Sequence, residues 1–175
     1  RIFASDFNLS KRQFCKLKKL QFSKVERISK ILFHWLWVFP YYKNDWRRIF
    51  NLGSFSLHLS FRMMGQILQA DRPTIILASS PQLPAAFISL IFAKFLKIPF
   101  IFEVRDLWPQ ILIDQGGKNP KSLLIRSLFF MEKILYKYSD IVILLSKGVE
   151  NYVKRKGARK TLWLPNGPDL KKFHQ

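Results

Sequence analysis

The chain has 175 residues, 49% hydrophobic and 15% aromatic, which is enough apolar material for one well-packed domain and too much for a disordered segment. Thirty Lys and Arg against 11 Asp and Glu give a formal charge of +19, so either the surface field attracts phosphate, anionic lipid or nucleic acid, or the charge is a solvated basic face. The single cysteine, Cys15, excludes an internal disulfide and fits a cytoplasmic setting, and the longest apolar runs fall short of the roughly 20 residues of a membrane-crossing helix.

The chain opens on Arg-Ile-Phe rather than Met, as an internal segment of a longer protein would. Ile2 to Ala4 reads as a short strand that opens into a loop at Ser5-Asp6. From Lys11 to Lys30 run eight cations and one acid, Glu26. Phe14, Leu17 and Leu20 fall at helical spacing there, which gives a weakly amphipathic basic helix or an irregular basic excursion. Functionally the stretch is either a membrane-surface patch or a solvated face.

Ile31 to Phe39, bounded by Pro40, suits a buried strand. Asn44-Asp45 can cap a helix running to about Ala70, with Leu57, Phe61, Met64 and Leu68 as its core stripe. After Asp71-Arg72-Pro73, the run Thr74 to Ala78 has the continuous apolar character of a parallel strand covered on both faces, and it ends at Ser79-Ser80-Pro81.

Leu83 to Leu96 reads as an apolar helix and Ile98 to Phe102 as the next strand, ending at Glu103-Val104-Arg105-Asp106. Asn119-Pro120 supplies a cap and first-turn proline for a helix whose face is Leu124, Leu128, Met131, Leu135 and Tyr138. Ile141 to Leu145 is a strand, Ser146 and Gly157 bracket a short helix, and Thr161 to Leu164 is a last strand meeting Pro165-Asn166-Gly167. Short apolar strands alternating with helices predict an α/β fold with a Rossmann-like, doubly wound parallel sheet.

In such sheets ligands bind outside the carboxyl ends of the strands. That selects Ser5-Asp6, Ser79-Ser80-Pro81, Glu103 to Pro109, and Ser146-Lys147-Gly148. Arg105 could present its planar fork to a phosphate, Glu103 or Asp106 could accept hydrogen bonds from sugar hydroxyls, and Trp108 could stack on a sugar. Equally, Glu103 and Arg105 could form an internal ion pair with Trp108 packed in the core. Ser146 could touch ligand or serve as a helix N-cap, and Ser79 and Ser80 are similarly balanced. His34, His58 and His174 have neither metal-ligand spacing nor a neighbouring nucleophile, so no metal site or hydrolase triad can be drawn. Gly116-Gly117 does not follow a strand and reads as a turn rather than a phosphate loop.

The stretch Glu103-Val104-Arg105-Asp106-Leu107-Trp108-Pro109 resembles the E/D-x-R-D-L-W-P segment of bacterial family 4 glycosyltransferases that build surface polysaccharides, the colanic-acid type included. The likeness extends in order through Ala4 to Phe7, Tyr42-Lys43-Asn44 with Arg48, Ser79-Ser80-Pro81, Val142 to Ser146, and Leu164 to Asp169. The resemblance implies the N-terminal, acceptor-side half of a GT-B enzyme, metal-independent and retaining. It also implies residues 1–164 as that domain, lacking its first strand, and residues 165–175 as the start of a linker to an absent donor domain.

On the same resemblance, Asn166 and Gly167 mark the junction to the donor side. The donor is a nucleotide-sugar rather than a cofactor, the acceptor a lipid-linked saccharide, and the location the inner face of the cell membrane, where anionic headgroups meet the basic surface. Many family members place a histidine where Arg105 stands, so Arg105 is assigned charge stabilisation and Asp106 positioning, while Ser5, Asp6, Ser79, Ser80, Glu103, Trp108 and Ser146 are assigned to substrate. By itself this segment is expected to bind rather than catalyse. The alternatives are a nucleic-acid-binding α/β module, or an acceptor subunit paired with a separate donor chain. Nucleic acid is not expected, because the cations are not interleaved with aromatics in a reading motif.

Overall fold

The computed structural model describes residues 1–42, 46–68, 72–80, 82–114, 117 and 119–167. The chain divides into two units, Arg1–Arg72 and Pro73–Gln175. Expectations that fall on Lys43, Asn44, Asp45, Ala70, Asp71, Pro81, Gly116 and Asp169 lie outside the described residues.

In the first unit β1 (Ile2–Ser5) runs parallel to β5 (Ile31–Leu36), and β4 (Ser23–Ile28) pairs antiparallel with the other side of β5. A small hairpin joins β2 (Phe7–Asn8) to β3 (Gln13–Phe14). The basic helix considered for Lys11 to Lys30 is therefore replaced by short strands and turns. The cause is backbone bonding elsewhere: Asp6, 3% exposed, takes the N–H groups of Lys16 and Leu17 on its carboxylate at 2.8–2.9 Å, and β4 gives its backbone to β5.

α1 (Arg47–Leu68) follows, but its buried side is Asn51, Phe55, Ser56, Leu59 and Met63. The expected core stripe of Leu57, Phe61, Met64 and Leu68 is exposed, Leu68 to 80%. Polar tethers set the rotation: Asn51 Nδ2 donates to the Phe39 carbonyl at 2.8 Å, Ser54 Oγ accepts from Phe39 N at 2.7 Å, and His58 Nδ1 bonds the Trp37 carbonyl at 2.7 Å. With apolar residues on both sides of the helix, these bonds decide which side faces the strand. β5 itself stops at Leu36 rather than Phe39 and is only half-buried.

The second unit is the predicted α/β layer. β6 (Ile76–Ser79), β7 (Phe100–Val104), β8 (Ile141–Leu144) and β9 (Thr161–Trp163) form one parallel sheet in that order. The crossovers are α2 (Leu83–Leu96), then α3 (Gln110–Asp114) with α4 (Leu123–Tyr138), then a 3-10 turn (Lys147–Val149) leading into α5 (Glu150–Arg155). This is a Rossmann-like arrangement.

Phe100, Phe102, Val104, Val142 and Leu144 point to the side where Leu83, Leu90, Ile125, Leu128, Leu135 and Val153 pack, forming one contiguous core. Each such side chain contributes roughly 1.5–3 kcal/mol by leaving water. The opposite face is less covered than a continuously apolar strand suggests, with Leu77 57% and Leu162 49% exposed.

α4 is capped by Ser122, whose Oγ accepts from Ile125 N, whereas Asn119-Pro120 forms the turn before it, Asn119 Oδ1 accepting from Lys121 N. Its inner side is Ile125, Leu128, Glu132, Leu135 and Tyr136, so of the expected face Leu124 and Tyr138 are exposed. Two carboxylates lock this layer. Asp140 accepts from Phe100 N at 2.8 Å and its own N–H donates to the Phe100 carbonyl at 2.9 Å, pinning the start of β8 to β7. Glu132, fully buried, accepts from Tyr152 Oη at 3.0 Å and Lys156 Nζ at 3.1 Å, tying α4 to the end of α5.

Candidate active site

Because the four strands are parallel and in register, their carboxyl ends reach the same edge. Ser79 lies opposite Glu103, Val104 opposite Leu144, and Leu144 opposite Trp163. The turns that leave this edge are Ser79-Ser80, Arg105 to Pro109, Leu145 to Gly148, and Leu164 to Gly167. Sheet register thus gathers three of the four places singled out from sequence.

The two serines divide their work. Ser80 is 2% exposed and spends its hydroxyl on the β7 turn, accepting from Arg105 N at 3.0 Å and Asp106 N at 3.2 Å and donating to the Asp106 carbonyl at 3.1 Å. It also donates its backbone N–H to the Glu103 carbonyl at 2.9 Å. Ser80 therefore shapes the turn that carries Arg105 and Asp106. Ser79 instead donates its hydroxyl to the Glu103 carboxylate, fixing that group at the mouth of the sheet.

Glu103 is held by Ser79 and does not form the ion pair with Arg105 that their spacing allowed. Among the described residues the Arg105 guanidinium and the Asp106 carboxylate engage in no side-chain hydrogen bond or salt bridge, and both residues are exposed. A forked cation and a carboxylate, set one residue apart on a turn pinned from beneath, are available to a ligand. Trp108 is 5% exposed and belongs to the core cluster, which is the packing reading rather than the stacking one; the Trp108-Pro109 bond is cis.

Ser146 precedes the 3-10 turn and is exposed, but its side chain makes no capping bond, so the hydroxyl is not spent on the helix. Asn166 and Gly167 are exposed just beyond β9. Ser5 and Asp6 belong to the first unit, where both are used internally: Ser5 Oγ accepts from Phe7 N at 3.2 Å and Asp6 clamps Lys16 and Leu17. One residue at the edge went unassigned from sequence. Lys147 sits with its ammonium 5.8 Å from the centre of the Trp163 ring, adding a second cation to the strand ends. Its position directly after a strand-end serine was the available signal.

The Rossmann-like α/β layer thus collects carboxylate, guanidinium and hydroxyl groups at its strand ends, where ligands bind in open parallel sheets. A family model described as glycosyl transferase 4-like domain matches residues 21–167, and the chain belongs to that family. No curated protein matches the chain.

Proposed function

We propose that this chain is the acceptor-side half of a retaining GT-B glycosyltransferase, which moves a hexose from a nucleotide-sugar to a lipid-linked saccharide during surface polysaccharide synthesis. The observation that supports it most is the strand-end turn in which Ser80 holds Arg105 and Asp106 outward beside the Ser79–Glu103 pair. In this reading the donor is held by a second Rossmann-like domain facing that edge.

The sugar–phosphate C1–O bond breaks with its electrons passing to the diphosphate oxygen. An acceptor hydroxyl forms the new C1–O bond on the same face and releases its proton to the departing diphosphate. Arg105 stabilises the charge that gathers on the diphosphate, Asp106 accepts a hydrogen bond from the acceptor, and Glu103 and Ser146 contact sugar hydroxyls. Lys147 adds positive potential at the same edge.

The test is to join this chain to its donor-binding half, as one polypeptide or as a paired chain, and to incubate the assembled enzyme with a panel of radiolabelled nucleotide-sugars and a lipid extract. Label moving into the lipid fraction from one donor is expected, with Arg105→Ala lowering kcat by about 100-fold or more. No transfer from any donor, or an unchanged rate in Arg105→Ala, removes the reading.

A further inference from the structure

Trp108 packs inward, so among the described residues the exposed indole at the carboxyl edge of the parallel sheet is that of Trp163. It is the last residue of β9, paired in register with Leu144, and it is 52% exposed. Register puts it on the side of Val142 and Leu144, the side on which the helices pack. The cover runs out there because α5 has six residues, of which Val153 alone is buried. The backbone beneath the ring is nonetheless fixed, since Leu164 N donates to the Leu144 carbonyl at 2.9 Å and continues the ladder past Trp163.

Polar groups of the neighbouring turn stand beside this strand end. The Lys147 ammonium lies 5.8 Å from the centre of the Trp163 ring, near the outer limit of such a contact, so it leaves the ring at little cost. Glu150, a carboxylate that feels the Lys147 charge, is already taken up by Lys154 at 2.7 Å and by the Thr161 hydroxyl at 2.8 Å. Ser146 keeps a hydroxyl that caps no helix, and Gly148 carries no side chain, a Cβ there meeting only Ser146 Oγ at 3.7 Å.

We propose that Trp163, Lys147 and Ser146 form a subsite for an acidic sugar of the acceptor. The pyranose ring lies on the exposed indole, its carboxylate meets the Lys147 ammonium, and the Ser146 hydroxyl bonds a ring hydroxyl. This assignment rests on the transferase reading and narrows its acceptor to a saccharide that carries a uronate. A half-exposed indole offers a flat apolar surface for the C–H face of a sugar ring, and a charge-assisted bond to a mobile ammonium favours the uronate over a neutral sugar.

Nuclear magnetic resonance on the 175-residue chain tests it, with the Trp163 indole N–H and the backbone amides of Ser146 to Gly148 as reporters. The probes are methyl β-glucuronide and methyl β-glucoside. Both are expected to shift these signals, the glucuronide binding about threefold more tightly at low salt. W163A weakens both by about tenfold, read on the backbone amides, and W163F restores most of the affinity. K147A leaves the glucoside unchanged and abolishes the preference for the glucuronide, whereas K147R keeps it. W46A removes an indole of similar exposure, 57%, which has its own cation, Arg47, at 5.6 Å in the first unit, and it changes neither affinity. Unshifted amides in β7 and β8 confirm that each variant is folded.

No response to either glycoside, equal affinity for the two, or equal losses in W163A and W46A overturns the proposal. So does a stronger response to uridine diphosphate than to the glucuronide, which would assign the ring to a nucleotide. The two readings fail separately. Transfer by the assembled enzyme with a wild-type KM in W163A, together with no glycoside binding, removes the subsite alone. Glycoside binding that depends on Trp163, without transfer from any donor, removes the transferase reading alone.

Discussion

The parallel sheet of residues 73–175 and the mixed sheet of residues 1–72 differ by one strand, yet they bury different chemistry. In the second unit Phe100, Phe102, Leu135, Tyr136, Val142 and Leu144 form one continuous apolar body with α2 and α4. In the first, fewer of the described side chains are buried, Leu36, Val38, Phe55, Leu59 and Met63 beside the polar Asp6, His34, Asn51 and Ser56. Ring contacts such as Phe14 with Trp37 and Phe33 with Trp35 supplement it. One unit is held chiefly by area removed from water, the other by directed hydrogen bonds and stacked rings. That difference leaves the first unit with more exposed apolar surface and a backbone organised by single carboxylates.

Truncation in the second core should break the contrast most sharply. Leu135→Ala, at a site with no exposure, is expected to cost about 3–4 kcal/mol in urea denaturation, because the tightly packed layer cannot collapse into the void. Glu132→Ala should cost about 3 kcal/mol by stranding Lys156 and Tyr152, the largest polar effect in that unit.

Those carboxylates also give the unit opposite pH slopes. Burial pushes Glu132 above the ordinary glutamate range against the pull of Lys156, so its stabilisation is complete below that range and is lost as pH rises through the raised value. Asp140 is held below the ordinary aspartate range, first by the Phe100 N–H and then by Lys94, so its stabilisation is complete above that range and is lost as pH falls. Melting temperatures from about pH 3 to 8 should lose the upper slope in Glu132→Gln and the lower one in Asp140→Asn.

In the first unit, Asp6→Ala should cost about 2 kcal/mol by orphaning two backbone donors. The loss should appear as faster hydrogen exchange at Lys16 and Leu17, with the amides of β7 and β8 unchanged. The smallest effect is expected at Gly157, whose φ of 112° is open to few residues other than glycine. Gly157→Ala should lower stability by about 1–2 kcal/mol without touching the strand-end site.

The second unit was the more legible in sequence. Leu83 to Leu96 is the helix that was read there, and the strands around Thr74, Ile98, Ile141 and Thr161 differ only at their ends. α3 was not anticipated: five residues carry too little periodicity to register. The place of the candidate site was legible as well, because polar residues after apolar strands mark the carboxyl edge of a parallel sheet. The division of labour there was not, since Ser79 and Ser80 are identical in type and only sheet register turns one toward Glu103 and the other beneath Arg105 and Asp106.

By itself, then, the sequence determined the α/β class, the order of the strands and longer helices from residue 74 onward and the residues that crowd the strand ends, because continuous apolar runs have one low-energy use in a covered sheet. Only the tertiary structure decided which side of α1 is buried, that Lys11 to Lys30 folds as strands and turns, and that Trp108 packs inward. In the first two cases a few bonds between separate segments, from Phe39 to Asn51 and Ser54 and from Asp6 to Lys16 and Leu17, outweigh a local periodicity that leaves the outcome open, and in the third the apolar core takes the Trp108 ring.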